Sequence, residues 1–224
     1  MNSSYYDESA VKRGVDAGIH REMIGGLWDE IGDLQMAFLR SQGLSSASSL
    51  LDIGCGSLRL GVRAVNYLDA NKYWGTDLNH ALMEAGYQKE IAPAGLAEKL
   101  PPGQLVEDGE FRFPGIPPVM DFAIAQSVFT HLPVRYLRQC LVSLGGHLQG
   151  PCTFFATFFI VPAGEFDGAF SHQPGDVVTH PGQDPYHYRL EDLSEAAQGT
   201  PWRMDYIGDW SHPRAQQMAA FRKD

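Results

Sequence analysis

The sequence predicts an α/β fold: a three-layer, doubly wound sheet of seven mostly parallel strands, with the last strand antiparallel. Three observations predict it. From about Ser49 onward, strand-sized apolar runs alternate with amphipathic stretches in five β-α units, the pattern of a parallel sheet covered by helices on both faces. The first strand, Ser49–Ile53, runs through an acid into a Gly-x-Gly turn, Asp52-Ile53-Gly54-Cys55-Gly56, which brings bare backbone up to a ligand. The chain closes on two adjacent strands, 202–209 and 215–222. Their connection is too short for a crossover, so they pair antiparallel.

The elements follow in order. Ile19, Met23, Leu27, Ile31, Leu34 and Phe38 recur at three- and four-residue steps, predicting a helix over 19–39 with one apolar stripe. Gly25-Gly26 weakens that helix or splits it in two. Ser45, Ser46, Ser48 and Ser49 form a polar link to the first strand. Residues 1–44 thus read as an N-terminal helical cap segment and 45–224 as the main domain. A helix over 58–67 and a strand over 72–76 come next. Asn79 is a good N-cap for a helix towards Glu90. Strands over 103–107 and 120–126 precede a helix with Pro133 near its start and the stripe Leu137, Cys140, Leu141, Leu144 and Leu148. The Phe-rich run 152–161 is the fifth strand. The loop 162–185, rich in Gly, Pro and His, is long enough to read as a lid, with disorder as the alternative. A short helix over 190–197 leads to the closing pair.

Composition narrows the function. The 224 residues carry a formal net charge of −10 and no Lys/Arg run, which argues against nucleic acid as a partner. No apolar run is long enough to cross a bilayer, so no membrane partner is expected. Three cysteines in no metal-binding spacing, with no signal-peptide pattern at the N-terminus, lead to the expectation of a reducing, cytoplasmic setting.

The ligand is better specified. A dinucleotide fingerprint would place a third glycine at position 59, where this chain has Arg59. That side chain crowds the pyrophosphate position and suits a phosphate-free ligand with a carboxylate, which Arg59 would pair. Asp77 ends the second strand, roughly 20 residues past the glycine turn, where such folds grip ribose hydroxyls; by itself it reads equally as a helix cap or surface acid. After the third strand, Asp108 is the candidate acceptor for an adenine amino group, with Glu107 and Glu110 as rivals. Leu78 and Gln126 complete the candidate cofactor residues.

On these residues the chain resembles the class I methyltransferases that use S-adenosylmethionine (SAM), whose fold is Rossmann-like. The resemblance rests on Leu51-Asp52-Ile53-Gly54-Cys55-Gly56, Asp77, Asp108 and Ala125-Gln126-Ser127-Val128-Phe129-Thr130-His131-Leu132, in the order of that superfamily's motifs I to IV. It runs from about Ser49 to the C-terminus and identifies no subfamily. It implies SAM as cofactor and S-adenosylhomocysteine (SAH) as product. It also implies Asp52 and Gly54 on the methionine part, Asp77 on the ribose and Asp108 on the adenine.

Ligands of such sheets bind beyond the carboxyl ends of the strands. Five of the eight histidines follow strands there: His131, His172, His180, His187 and His212. A hydroxyl acceptor needs one general base, and the candidates rank His131, His187, His212. The competing role for Thr130 or His131 is capping the next helix. Tyr188, Arg214 and Trp210 are candidate substrate-binding residues. Arg214 would hold an anionic group or else pair with Asp205 or Asp209, and Trp210 more simply completes the core. The loop histidines are spaced by eight and seven residues, so no metal is expected. Tyr5, Tyr6 or Trp28 could cover the cofactor from the N-terminal side. The function expected is methylation of a small molecule, at a hydroxyl oxygen in the first instance. The alternatives are a nitrogen or carbon acceptor, or a SAM-binding protein without transfer. No Asn/Asp-Pro-Pro-Tyr pattern follows the fourth strand, which argues against methylation of DNA-base or glutamine amines.

Overall fold

The computed structural model describes residues 8–224; Tyr5 and Tyr6 lie outside the described residues. The chain divides into two compact units, one to Ile116 and one from Pro117.

The first unit opens with three helices, α1 (Glu8–Asp16), α2 (His20–Met23) and α3 (Trp28–Ser41). The helix expected over 19–39, with Gly25-Gly26 as its weak point, is split in two there. Gly25, Gly26 and Leu27 all have positive φ (90°, 62° and 48°), and three consecutive residues in that region cannot continue a right-handed helix. β1 (Leu50–Ile53) follows, buried along its whole length, as expected for a strand covered on both faces. α4 (Gly61–Tyr67) starts three residues later than the sequence suggests, because Leu58 takes φ 67° and delays the helix. β2 (Tyr73–Asp77) pairs parallel with β1. α5 (His80–Gly86) passes into a wide π-type turn over Tyr87–Ile91. β3 (Leu105–Glu107) pairs parallel with β2.

The second unit contains β4 (Phe122–Ala125), α6 (Val134–His147) and β5 (Cys152–Phe158), with β5 parallel to β4. The loop 162–185, expected as a lid with disorder as the alternative, holds a small hairpin, β6 (Phe170–His172) with β7 (Val177–Thr179). α7 (Leu190–Ala197), β8 (Arg203–Asp209) and β9 (Gln217–Lys223) complete the chain. β9 runs antiparallel to both β5 and β8, and the strand order is β3-β2-β1-β4-β5-β9-β8, the seven-stranded arrangement expected. The Phe-rich run builds this unit's core: Phe154 stacks on Phe221 at 5.8 Å and Phe158 on Phe129 at 5.7 Å between ring centroids. No helix among the described residues is long and apolar enough to cross a membrane.

Candidate functional site

In the first unit the turn after β1 is tied to the end of β2. Gly54 and Gly56 have φ 71° and 54°, a conformation that favours glycine. The Gly54 and Cys55 amides donate to the Thr76 carbonyl at 2.7 and 3.0 Å. The Gly56 amide donates to Asp77 Oδ2 at 2.8 Å, and the Asn79 amide to Asp77 Oδ1 at 2.8 Å. One buried carboxylate thus joins the glycine turn to the start of α5, keeping further lone pairs for a ligand. From the other side α5 presses on the same turn: a Cβ at Gly86 would lie 2.3 Å from the Ser57 carbonyl oxygen. The side-chain amide of Asn79 is buried with no hydrogen-bond partner for Nδ2, although Asn79 is the N-cap of α5 and does not cap it with its side chain. Leu78 lies against Gly109, where a Cβ would come within 3.1 Å.

The electrostatics favour a cationic ligand. Burial pushes the Asp52 carboxyl up to about 7, against the Tyr73 hydroxyl, which donates to Asp52 Oδ2 at 2.8 Å, and the Arg59 charge. Burial pushes Asp77 up to about 6, against the two backbone amides that hold it. A positive group brought into contact would restore both to full ionisation. A stability prediction follows. The unfolded chain releases these protons near pH 4 and the folded chain only near 6 and 7. The folded state therefore holds more protons in between, and these groups' contribution is lost as pH rises through their folded values. The unliganded protein is expected to melt at a higher temperature at pH 6 than at pH 8. Asp52→Asn should shrink that difference; scanning calorimetry that finds no such dependence would contradict the assignment.

Arg59 is buried, and its Nη1 donates to the Gly26 carbonyl at 2.9 Å. It anchors the N-terminal segment, together with Ser57 Oγ, which donates to the His20 carbonyl at 3.0 Å. Glu90 completes the anchor, accepting from Arg21 Nε and Nη2 at 2.7 Å each and facing His20 Nε2 at 2.8 Å. Burial alone would raise the Glu90 carboxyl, but these partners hold it below its ordinary value. Trp28 is buried against Arg21 and His20. Asp108 follows β3. Its carboxylate accepts from the backbone amides of Glu110, Arg112 and Phe113, so it shapes its own loop, the usual work of an aspartate in a turn.

In the second unit a buried polar network lies at the carboxyl ends of β4 and β5 and beside the start of β9. Gln126 Nε2 reaches Ser127 Oγ at 2.6 Å and lies 3.2 Å from His212 Nε2. Gln216 Oε1 accepts from Thr157 Oγ1 at 2.8 Å, and Thr157 Oγ1 accepts from the Ser127 amide at 2.8 Å. His212 Nδ1 accepts from the Arg214 amide at 3.1 Å, and Trp210 stacks on the His212 ring at 5.4 Å. Trp210 also donates to the Gln216 carbonyl at 2.9 Å. His212 has both ring nitrogens in contact and is 2% exposed, as part of this network. Trp210 is core, as its simpler reading held. Arg214 is half-buried, and its backbone abuts the hairpin turn: a Cβ at Gly175 would lie 2.9 Å from Arg214 Cα. Asp205 is paired by Arg203 and Arg222 instead.

His187 follows the hairpin. It is 1% exposed, with Nε2 facing the Phe166 carbonyl at 2.9 Å and Nδ1 facing Thr179 Oγ1 at 2.8 Å. The same hydroxyl meets His172 Nε2 at 2.8 Å, so His187 locks the hairpin onto the loop. Burial first, and the neighbouring His187, hold His172 down to about 4. Tyr188 is buried too. Its hydroxyl donates to the Phe129 carbonyl at 2.6 Å and also reaches the Leu132 carbonyl, bracing the turn after β4. His131 differs from the other two candidate bases: its side chain is 45% exposed, with Nδ1 2.7 Å from Asp184 Oδ1. Asp184 carried no signal in the sequence, because its partner is 53 residues away.

No protein-family profile matches the sequence. Several solved structures share the fold. One is magnesium protoporphyrin IX methyltransferase from Synechocystis with bound SAM (12% identity, 100% of each chain covered, TM-score 0.59). Another is a SAM-dependent methyltransferase from Clostridium acetobutylicum (12% identity, 94% of this chain and 98% of that one, TM-score 0.60). A third is a sugar N-methyltransferase from a Streptoalloteichus species (17% identity, 88% and 87% covered, TM-score 0.57). The chain therefore has the Rossmann-like fold of the class I SAM-dependent methyltransferases.

Proposed function

We propose that this chain is a SAM-dependent methyltransferase that methylates a small molecule at a hydroxyl oxygen. The observation that carries the reading is the Asp77 carboxylate joined to the Gly56 amide at 2.8 Å, an acid and a bare turn held together where this fold places its ligand. The unpartnered amide of buried Asn79 beside that acid and the two carboxyls raised by burial fit a ligand with ribose hydroxyls and positive charge. Gly54 and Gly56 would let the ligand approach the backbone, Asp77 and Asn79 would hold the ribose side, and Leu78 would lie on the adenine side. Asp52 would face the cationic methionine part. When bound, SAM supplies an activated methyl group on a sulfonium.

The chain's remaining task is to align an acceptor and take up its proton. His131 is the group for that, at the carboxyl end of β4 with an exposed ring. The net charge of −10 makes a nucleic acid a poor acceptor. Residues up to 44 would cap the domain from the N-terminal side. A titration with SAM followed by incubation of labelled SAM with cell extract tests this. Binding and transfer of label to a small molecule are expected. Binding without transfer would favour a non-catalytic SAM-binding role, and label found on nitrogen or carbon would overturn the oxygen acceptor. His131→Ala is expected to keep SAM affinity and lower transfer about 100-fold or more; full activity in that variant would remove His131 as the base.

A further inference from the structure

We propose that Asp184, from the loop 162–185, is the positioning residue of His131: it holds the imidazole in the tautomer that leaves Nε2 free to accept the acceptor's hydroxyl proton. The inference rests on the reading of His131 as base and extends it to a residue with no sequence signal. The contact is short, 2.7 Å between His131 Nδ1 and Asp184 Oδ1. An ionised carboxylate only accepts hydrogen bonds. The neutral ring facing it must therefore carry its proton on Nδ1, and the lone pair is on Nε2.

An exposed ion pair between long side chains usually contributes little, because two flexible arms must be held in one geometry. This pair is different. Both side chains are short, and both backbones are pinned on either side of the contact. The His131 turn is braced from within by the Tyr188 hydroxyl on the Phe129 carbonyl at 2.6 Å. The Tyr186 amide donates to the Thr130 carbonyl at 2.7 Å, one residue before His131 and two after Asp184. The His180 amide donates to the Pro185 carbonyl at 2.9 Å, closing the loop end on itself. The approach of the carboxylate is thus set by the backbone. The titratable groups on the segment packed against this turn are Asp184, Tyr186, His187 and Tyr188; the His187 ring is buried on Thr179 and the Phe166 carbonyl, the Tyr188 hydroxyl is committed to carbonyls, and burial pushes it well above its ordinary value.

In the proton step the acceptor's O–H bond breaks and an Nε2–H bond forms. The imidazolium is stabilised by Asp184, and the half-exposed ring then returns the proton to solvent.

The test uses the full chain labelled with nitrogen-15 and long-range proton–nitrogen spectra of the histidine rings, with the His131 signals assigned by their loss in His131→Gln. At pH 8 the wild-type ring is expected to carry its proton on Nδ1. Asp184→Asn is expected to move the proton to Nε2. The variant is also expected to slow label transfer about tenfold while leaving the SAH dissociation constant unchanged. A wild-type ring protonated on Nε2 overturns the proposal even if the variant does not fold. An unchanged spectrum or an unchanged transfer rate in Asp184→Asn overturns it as well. Failure of the wild-type protein to bind SAH would sink the methyltransferase reading instead, and the ring spectrum would still show whether Asp184 sets the tautomer.

Discussion

Replacing Asp77 by alanine is expected to abolish measurable SAH binding and to destabilise the chain. The carboxylate accepts from the Gly56 and Asn79 amides, and its loss leaves two buried donors unpaired, at about 1–3 kcal/mol each. Part of that is returned, because a carboxyl raised to about 6 by burial is itself an unfavourable guest. The net expectation is a loss of about 1–3 kcal/mol. Binding should suffer more. Two hydrogen bonds from ribose hydroxyls to a charged group are worth about 1.5–3 kcal/mol each, so affinity should fall by at least about 100-fold. Asp77→Asn separates the two effects. It keeps an acceptor oxygen for one amide and is expected to fold near wild-type stability while still losing most of the affinity. Calorimetric titration and thermal melts of both variants check this. Wild-type affinity in Asp77→Asn would show that the acid only organises the turn.

The second large effect concerns a methyl group. Gly86→Ala places a Cβ 2.3 Å from the Ser57 carbonyl oxygen and 2.5 Å from its carbon. Neither is the loose end of a side chain, so α5 or the glycine turn has to move. Overpacking of this kind costs about 1–3 kcal/mol and sometimes more, against a gain in helix propensity of at most about 1 kcal/mol. The melting temperature should fall by several degrees, and SAH affinity should drop about tenfold because the displaced carbonyl belongs to the residue after Gly56. Gly146→Ala is the matched control. It lies in α6 with nothing within 4 Å of the added carbon, and the same change there should stabilise by a few tenths to about 1 kcal/mol. Equal effects at the two positions would contradict the close packing of α5 on the turn.

The strands of the seven-stranded sheet were legible because each apolar run is short, bounded by turn residues and, through the five β-α units, followed by an amphipathic stretch. The connection between β8 and β9 is too short to be anything but antiparallel. The glycine turn and Asp77 were legible because they form a local pattern. What was not legible was which hydrogen bonds each side chain chooses. The Arg59 contact with the Gly26 carbonyl and the amides of Glu110, Arg112 and Phe113 on the Asp108 carboxylate are examples that no local pattern announces. His131 and His187 are both candidate bases in the sequence, with His131 ranked first. The hairpin of β6 and β7 buries His187 against Thr179 and leaves His131 on the surface beside Asp184. That hairpin was missed because each strand is only three residues long, below the length at which alternation can be read.

A crystal structure of the protein with SAH tests the central claim most directly. The account predicts the adenosyl group against the Gly54–Gly56 turn, with an Asp77 oxygen within about 3 Å of a ribose hydroxyl and the Gly56 amide still on that carboxylate. SAH bound elsewhere, or bound there with Asp77 turned away from the sugar, would contradict it.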